Sequence, residues 1–134
     1  ETQPILFRLK SDLLLLIEAA LEGKLAKTKA EWDPRPVVGV VMAAGGYPNE
    51  YRKGDEIVGA ASAATPNSKI FHAGTGRNER DEIVTRGGRV LCVVGTGDTV
   101  KAAQAEAYRV VDQIKFEGAL YRHDIAHRAI ARGL

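Results

Sequence analysis

Apolar residues Ile5, Leu9, Leu13, Leu16, Ile17, Ala20 and Leu21 recur at helical spacing through the opening ETQPILFRLKSDLLLLIEAALEG, which predicts one helix with an apolar stripe. Thr2 is placed to cap it, Pro4 falls near its first turn and Gly23 near its stop. The polar KLAKTKAEWDPRP follows, and prolines on both sides of Arg35 predict a stiff, extended connector with Trp32 as its anchor. The period then changes. VVGVVMAA is a β-branched run closed by the turn-forming GGYPNEYRKGD, and EIVG, KIFHA, EIVT and RVLCVV are further strand candidates. The glycine pair of TRGG predicts a hairpin joining the last two. GDTVKAAQAEAYRVVDQI reads as a second helix, capped by Asp98 or Thr99, with Val100, Ala103, Ala107, Val110, Val111 and Ile114 on its buried side. In the basic tail LYRHDIAHRAIARGL, Asp124 is placed to start a last turn or two.

This order of helix, linker, antiparallel sheet, helix and tail is an α+β arrangement, and the first helix could belong to a different unit from the rest. The 134 residues are one domain's worth of chain, able to bury a core without disulfides or a structural metal. With 45% apolar residues, 27% charged and a net charge of +2, the balance is that of a globular protein and names neither nucleic acid nor membrane as a partner. Cys92, the one cysteine, lies in RVLCVV, which predicts a buried, inert thiol and a reducing, cytoplasmic setting. The run Leu13 to Ile17 is too short to span a bilayer, and no signal-peptide pattern precedes it.

Two constellations could carry chemistry. HDIAH sets His123 and His127 one helical turn apart beside Asp124, a spacing that could place two imidazoles on one zinc ion and so suggests a hydrolase. Such a site needs a third ligand, and the remaining histidine is His72; the alternative is a basic, solvated helical end. The second is the pair of glycine-bearing turns HAGTGRNERD and TRGGRV, which bring Thr75, Arg77, Thr85, Arg86 and Arg89 together with glycine amides. Glycines let main-chain N–H groups approach an anion, hydroxyls donate further bonds and an arginine fork matches phosphate oxygens two at a time. The alternative is that both are β-turns shaped by backbone demand alone. A Walker-type loop, a G-x-G-x-x-G opening a helix and an evident carboxylate cluster for Mg²⁺ are all missing from the sequence.

ETQPILFRLKSDLLLL, EWDPRPVVGVVMAAGGYPNEYRKGD, KIFHAGT, TRGGRVLCVVGTGDTV and YRHDIAHRAI resemble, in order and spacing, the C-terminal part of the glycinamide ribonucleotide synthetases, also called phosphoribosylamine-glycine ligases. The resemblance covers essentially the whole chain, and AAGGYP with YRKGD and FHAGT is its most specific set. Arg86 departs from the family's usual small or amide side chain, and Ala126 from its usual glycine.

The resemblance implies an ATP-grasp enzyme of purine synthesis in which ATP activates glycine as an acyl phosphate that 5-phosphoribosylamine then attacks. ATP with Mg²⁺ or Mn²⁺ would be held by an upstream ATP-grasp part, whose metal ligands precede a G-D-P-E-T-Q segment within which Glu1 falls. The chain is then expected to be a fragment, silent without its upstream part. Residues 1–30 would be the terminal helix of the ATP-grasp domain with its linker, and 31–134 a small β-rich domain with an antiparallel, barrel-like sheet and one long helix. A stand-alone phosphosugar-binding module is the non-enzymatic alternative. Under the resemblance, substrate would meet His72, Gly74, Thr75, Gly87, Gly88 and Arg89, with Arg89 as the charged fork for the ribose phosphate and Thr75 as hydroxyl donor. Glu1 would lie near the glycine site, whereas Arg52 and Lys53 would set a surface turn.

Overall fold

The computed structural model describes residues 2–133. Helices α1 (Thr2–Phe7) and α2 (Leu13–Leu21) and a 3-10 turn (Leu25–Lys27) lead into strand β1 (Val37–Ala43). The short helix α3 (Ala60–Ala63), strands β2 (Ser68–His72), β3 (Thr75–Arg77), β4 (Ile83–Thr85) and β5 (Arg89–Thr96), and helices α4 (Val100–Val111) and α5 (His127–Ala131) follow.

The expected first helix is two. Ser11 and Asp12 break it, and the Asp12 carboxylate restarts the chain by accepting from the amide N–H groups of Leu14 and Leu15. Between the two helices Leu9 bridges Trp32, with backbone bonds from Lys10 N–H to Glu31 and from Asp33 N–H to Arg8 tying the connector down. Trp32 is thus an anchor through its backbone, while its ring stays half exposed beside Pro4, Ile5 and Pro36. The expected stop holds: Gly23, at φ +68°, follows the end of α2.

β5 is the central strand, antiparallel to β1 and β2 in the order β1-β5-β2. Its near-continuous apolar run is what a strand covered on both faces requires. Val38, Val40 and Met42 of β1, Leu91 and Val93 of β5 and Ile70 of β2 form the core with Ala103, Ala107, Val110 and Val111 of α4. Gly95 makes that packing possible, because a Cβ there would lie 2.5 Å from the Ala107 nitrogen. α4 starts at Thr99, whose hydroxyl caps the Ala102 amide, which decides between the two expected caps. α1 lies on the opposite face, with Pro4 seated on Gly39 so closely that a Cβ there would lie 2.6 Å from the proline ring.

Three further expectations are corrected. β4 pairs with β3 and not with β5, so Gly87 and Gly88 join two sheets and no hairpin forms there. EIVG is no strand: Glu56 and Val58 make single bridges, to Val84 and Lys115. The sheets are open, three strands and two, and do not close into a barrel. The α+β class stands.

α2 is where patterning and burial part company. Leu14 and Leu15 are each 61% exposed and Leu21 is 84% exposed, and no residue of α1 or α2 is fully buried. Helices this apolar are ordinarily covered.

Candidate functional site

The two glycine-bearing turns meet at the end of the sheet. Gly74 N–H donates to the Arg89 carbonyl (2.8 Å), and the amides of Arg86 and Gly87 both donate to the Gly74 carbonyl (2.7 and 3.0 Å). The contact is so close that a Cβ on Gly74 would lie 2.7 Å from the Gly87 Cα and 2.6 Å from the Arg89 oxygen. The glycines at 74 and 87 therefore have a packing reason, and their amides are occupied by carbonyls. Gly88 fits beneath Tyr47 and Tyr51, where a Cβ would lie 2.4 Å from the Tyr47 ring. The chemistry this region can offer rests on its side chains.

Those side chains fall in two places. His72 Nδ1 and Thr75 Oγ1 are 3.1 Å apart and line a groove of about 310 Å³ with Gly76, Arg77 and Ile83. Arg89 lines a different cleft, of about 280 Å³, with Thr2, Gln3, Val41, Ala73, Leu91 and Cys92. A β-bulge puts it there: Met42 pairs with Leu91 and Ala43 with Arg89, so Val90 is an extra residue in β5 and Arg89 leaves the strand's alternation. Arg89 has no ion pair or side-chain hydrogen bond among the described residues.

Glu1 lies outside the described residues. Its neighbours Thr2, expected as a helix cap but standing inside α1, and Gln3, which the sequence did not single out, share the Arg89 cleft. Their adjacency to Glu1 was the available signal, but the juxtaposition with Arg89 depends on how α1 docks.

Arg52 and Lys53, expected to set a surface turn, lie in an exposed irregular segment just after the turn at residues 45–48. The Arg52 guanidinium pairs with Asp55 at 2.7 Å, and the Lys53 ammonium sits 5.4 Å from the centre of the Tyr51 ring. Arg86 lies over Gly76 and donates to the Arg77 carbonyl at 3.0 Å. Burial pushes the Cys92 thiol above its ordinary pKa, which disfavours the thiolate a nucleophile needs.

HDIAH has a local structural role. His127 Nδ1 lies 2.7 Å from the Asp124 carbonyl, and the His123 ring packs 4.6 Å from that of Tyr121. Asp124 caps no helix, since the N-cap of α5 is Ala126 and no side chain caps it; Asp124 pairs instead with Arg122 at 2.6 Å, which holds its carboxyl below the usual range. Ala126 takes φ +67°, a left-handed conformation that favours glycine. Among the described residues no group of three or more His, Cys, Asp or Glu side chains could hold a metal ion. No helix there is long and apolar enough to cross a membrane.

Residues 37–128 match the family described as "Phosphoribosylglycinamide synthetase, C domain". The phosphoribosylamine-glycine ligase of Pseudomonas aeruginosa is 56% identical over 132 residues, 98% of this chain and 30% of that protein. That of Yersinia pestis is 52% identical over 133 residues, 99% of this chain and 31% of its own length. The crystal structure of the Thermotoga maritima phosphoribosylamine-glycine ligase superposes with a TM-score of 0.64 at 38% identity, covering 81% of this chain and 27% of that one. The chain thus spans about 30% of the length of the curated relatives it matches. With a family match that takes in both strand-end turns, the bulge and α4, this chain belongs to the phosphoribosylglycinamide synthetase C-domain family.

Proposed function

We propose that this chain serves as the C-terminal part of a phosphoribosylamine-glycine ligase, which joins glycine to 5-phosphoribosylamine at the expense of ATP through a glycyl phosphate. The observation that carries the reading is 56% identity to a ligase of that name across 98% of the chain. ATP with Mg²⁺ or Mn²⁺ belongs, in this reading, to the upstream ATP-grasp part. The described residues offer no fit for the metal, and no step at this chain is routed through it.

The chain's own share is recognition of the phosphosugar and closure of the site. Arg89 supplies the charge for the ribose phosphate. His72 and Thr75, hydrogen-bonded to each other, offer an imidazole and a hydroxyl to the sugar side, and the Gly74, Gly87 and Gly88 contacts hold both turns in place. The apolar surface of α1 and α2 packs against the upstream part, which explains Leu14, Leu15 and Leu21 at the surface. Residues 1–30 then complete the ATP-grasp domain, and the ligase works in the cytoplasm.

The test is calorimetry with glycinamide ribonucleotide and with its dephosphorylated nucleoside. The expected result is saturable binding of the ribonucleotide that the nucleoside lacks and that Arg89→Ala weakens about tenfold or more. Equal affinity for both ligands contradicts the reading, because nothing would then recognise the phosphate.

A further inference from the structure

AAGGYP and YRKGD belong to the most specific set of motifs in the chain, yet they supply none of the side chains assigned to substrate. They run from Ala43, the last residue of β1, through the irregular segment 44–55. Both ends of that segment are tied to the TRGG turn. At its start Ala44 N–H donates to the Gly88 carbonyl (2.8 Å). At its end Gly54 N–H donates to the Thr85 carbonyl (2.7 Å), Thr85 N–H to the Asp55 carbonyl (2.9 Å) and Asp55 N–H to the hydroxyl of the buried Thr85 (3.1 Å). Between the ends, bonds from Tyr47 N–H to the Ala44 carbonyl, from Asn49 N–H to that of Gly46 and from Arg52 N–H to that of Gly45 stiffen the segment, and the Arg52–Asp55 ion pair closes it.

We propose that Tyr47 and Tyr51 are positioning residues, a wedge of two rings on Gly88 that fixes the backbone from which the Arg89 side chain is aimed. The inference deepens the reading above and rests on it for Arg89 as a ligand-binding residue. The rings meet over one buried glycine: a Cβ on Gly88 would run into the Tyr47 ring and lie 3.1 Å from the Tyr51 ring. Their centres are 6.4 Å apart and their planes tilted by 57°, and the Lys53 ammonium stands 5.4 Å from the centre of the Tyr51 ring. Arg89, the next residue, is exposed and leaves the strand's alternation at the bulge.

A guanidinium at the end of a long, flexible side chain is aimed first by its Cα–Cβ bond. Here the residue before that bond is glycine, the most permissive in backbone conformation. Left uncovered, Gly88 would let the Arg89 Cα turn away from the cleft that its side chain lines. Misplacement by about 1 Å at a substrate-positioning group can cost up to about a hundredfold. Aromatic rings suit the covering role, because each brings a large, rigid surface with few rotatable bonds. Both rings are part exposed, and no described residue hydrogen-bonds to either hydroxyl, so the contact belongs to the ring carbons. Phenylalanine is therefore expected to serve in place of tyrosine, and alanine is not.

The test is a double-mutant cycle on the full chain, with glycinamide ribonucleotide as the calorimetric probe. Tyr47→Ala is expected to raise Kd by about fivefold to tenfold and Tyr47→Phe by less than about twofold. Tyr47→Ala added to Arg89→Ala is expected to cost nothing beyond Arg89→Ala alone, because the ring acts through that side chain. A tyrosine with a general structural role weakens binding equally with and without Arg89, so an additive cycle overturns the proposal. Loss of binding in Tyr47→Phe as large as in Tyr47→Ala overturns it too. Should Tyr47→Ala fail to fold, Tyr51→Ala carries the same cycle. A second readout needs no ligand: backbone amide order parameters of the isotope-labelled chain. Gly88 and Arg89 are expected to lose order in the alanine variant and regain it in Tyr47→Phe, while Val94 in the middle of β5 stays rigid. Unchanged order at Gly88 and Arg89 overturns the wedge. A wild-type chain that binds no ribonucleotide removes the reading above instead, and the order parameters then decide the wedge by themselves.

Discussion

Gly74→Ala probes the contact on which the candidate site is built. The added Cβ would meet the Arg89 oxygen at 2.6 Å, the Gly87 Cα at 2.7 Å and the Gly87 nitrogen at 2.9 Å, all of them backbone. Ordinary carbon contacts lie near ~3.5–4.0 Å, so one turn must retreat by roughly 1 Å. Overpacking of that kind costs about 1–3 kcal/mol, and the strained Gly74–Arg89 and Gly87–Gly74 bonds bring the total to roughly 2–4 kcal/mol. For a chain of this length that is a fall in Tm of about 10 °C. Gly76→Ala is the control: the three atoms nearest its Cβ all belong to the Arg86 side chain, the closest at 2.7 Å, and that exposed side chain can swing into solvent. Its expected cost is below about 1 kcal/mol. Gly23→Ala meets nothing within 4 Å and has only its φ of +68° to overcome, about 1 kcal/mol. Urea and thermal unfolding of the three variants read these costs. A Gly74→Ala protein no less stable than Gly76→Ala refutes the turn-to-turn contact.

Three further outcomes follow from particular residues. Ala126→Gly relieves the left-handed φ of +67° and is expected to stabilise by about 0.5–1 kcal/mol, a rise of a few degrees in Tm. The Glu106 carboxyl is held down to about 2, from 4.5, chiefly by its hydrogen bonds from Arg109, with Thr65 and Ser68 adding. A depressed carboxyl pKa gives stability that is present above 4.5 and lost as pH falls towards 2, so Glu106→Gln is expected to flatten the acid limb of stability against pH by roughly 1–2 kcal/mol over that window. Cys92 is buried with its thiol pKa raised, so a thiol reagent at neutral pH is expected to label it only as denaturant opens the sheet; rapid labelling of the native chain contradicts that burial.

The elements that the sequence announced are those whose signals are local. β1, β5 and α4 carry strict periods or long apolar runs, and Thr99 and Gly23 fulfil short-range rules of helix ends. Register is not local. The TRGG turn has every mark of a hairpin, yet β5 leaves β4 because its apolar run is better buried between β1 and β2. The break in the first helix follows from Asp12, which can cap as readily as it can sit on a helix face. The candidate site shows the same division. Gly74, Gly87, Gly88 and Arg89 are found together as the glycine-bearing turns suggested, but the Gly74 and Gly87 amides are taken up by backbone carbonyls. Gln3 and Thr2 are brought to Arg89 only by a bulge and a docked helix, neither of which leaves a mark in the sequence.

In the proposed reading, this chain forms the phosphosugar-binding end of a phosphoribosylamine-glycine ligase. The most direct measurement replaces the matching 30% of the Pseudomonas aeruginosa ligase with this chain and assays ADP release that depends on both glycine and 5-phosphoribosylamine. The account predicts activity within about tenfold of the parent enzyme, with Arg89→Gln raising KM for the phosphosugar while leaving that for glycine unchanged. A folded chimera that releases no substrate-dependent ADP, or one whose KM for the phosphosugar ignores Arg89, contradicts it.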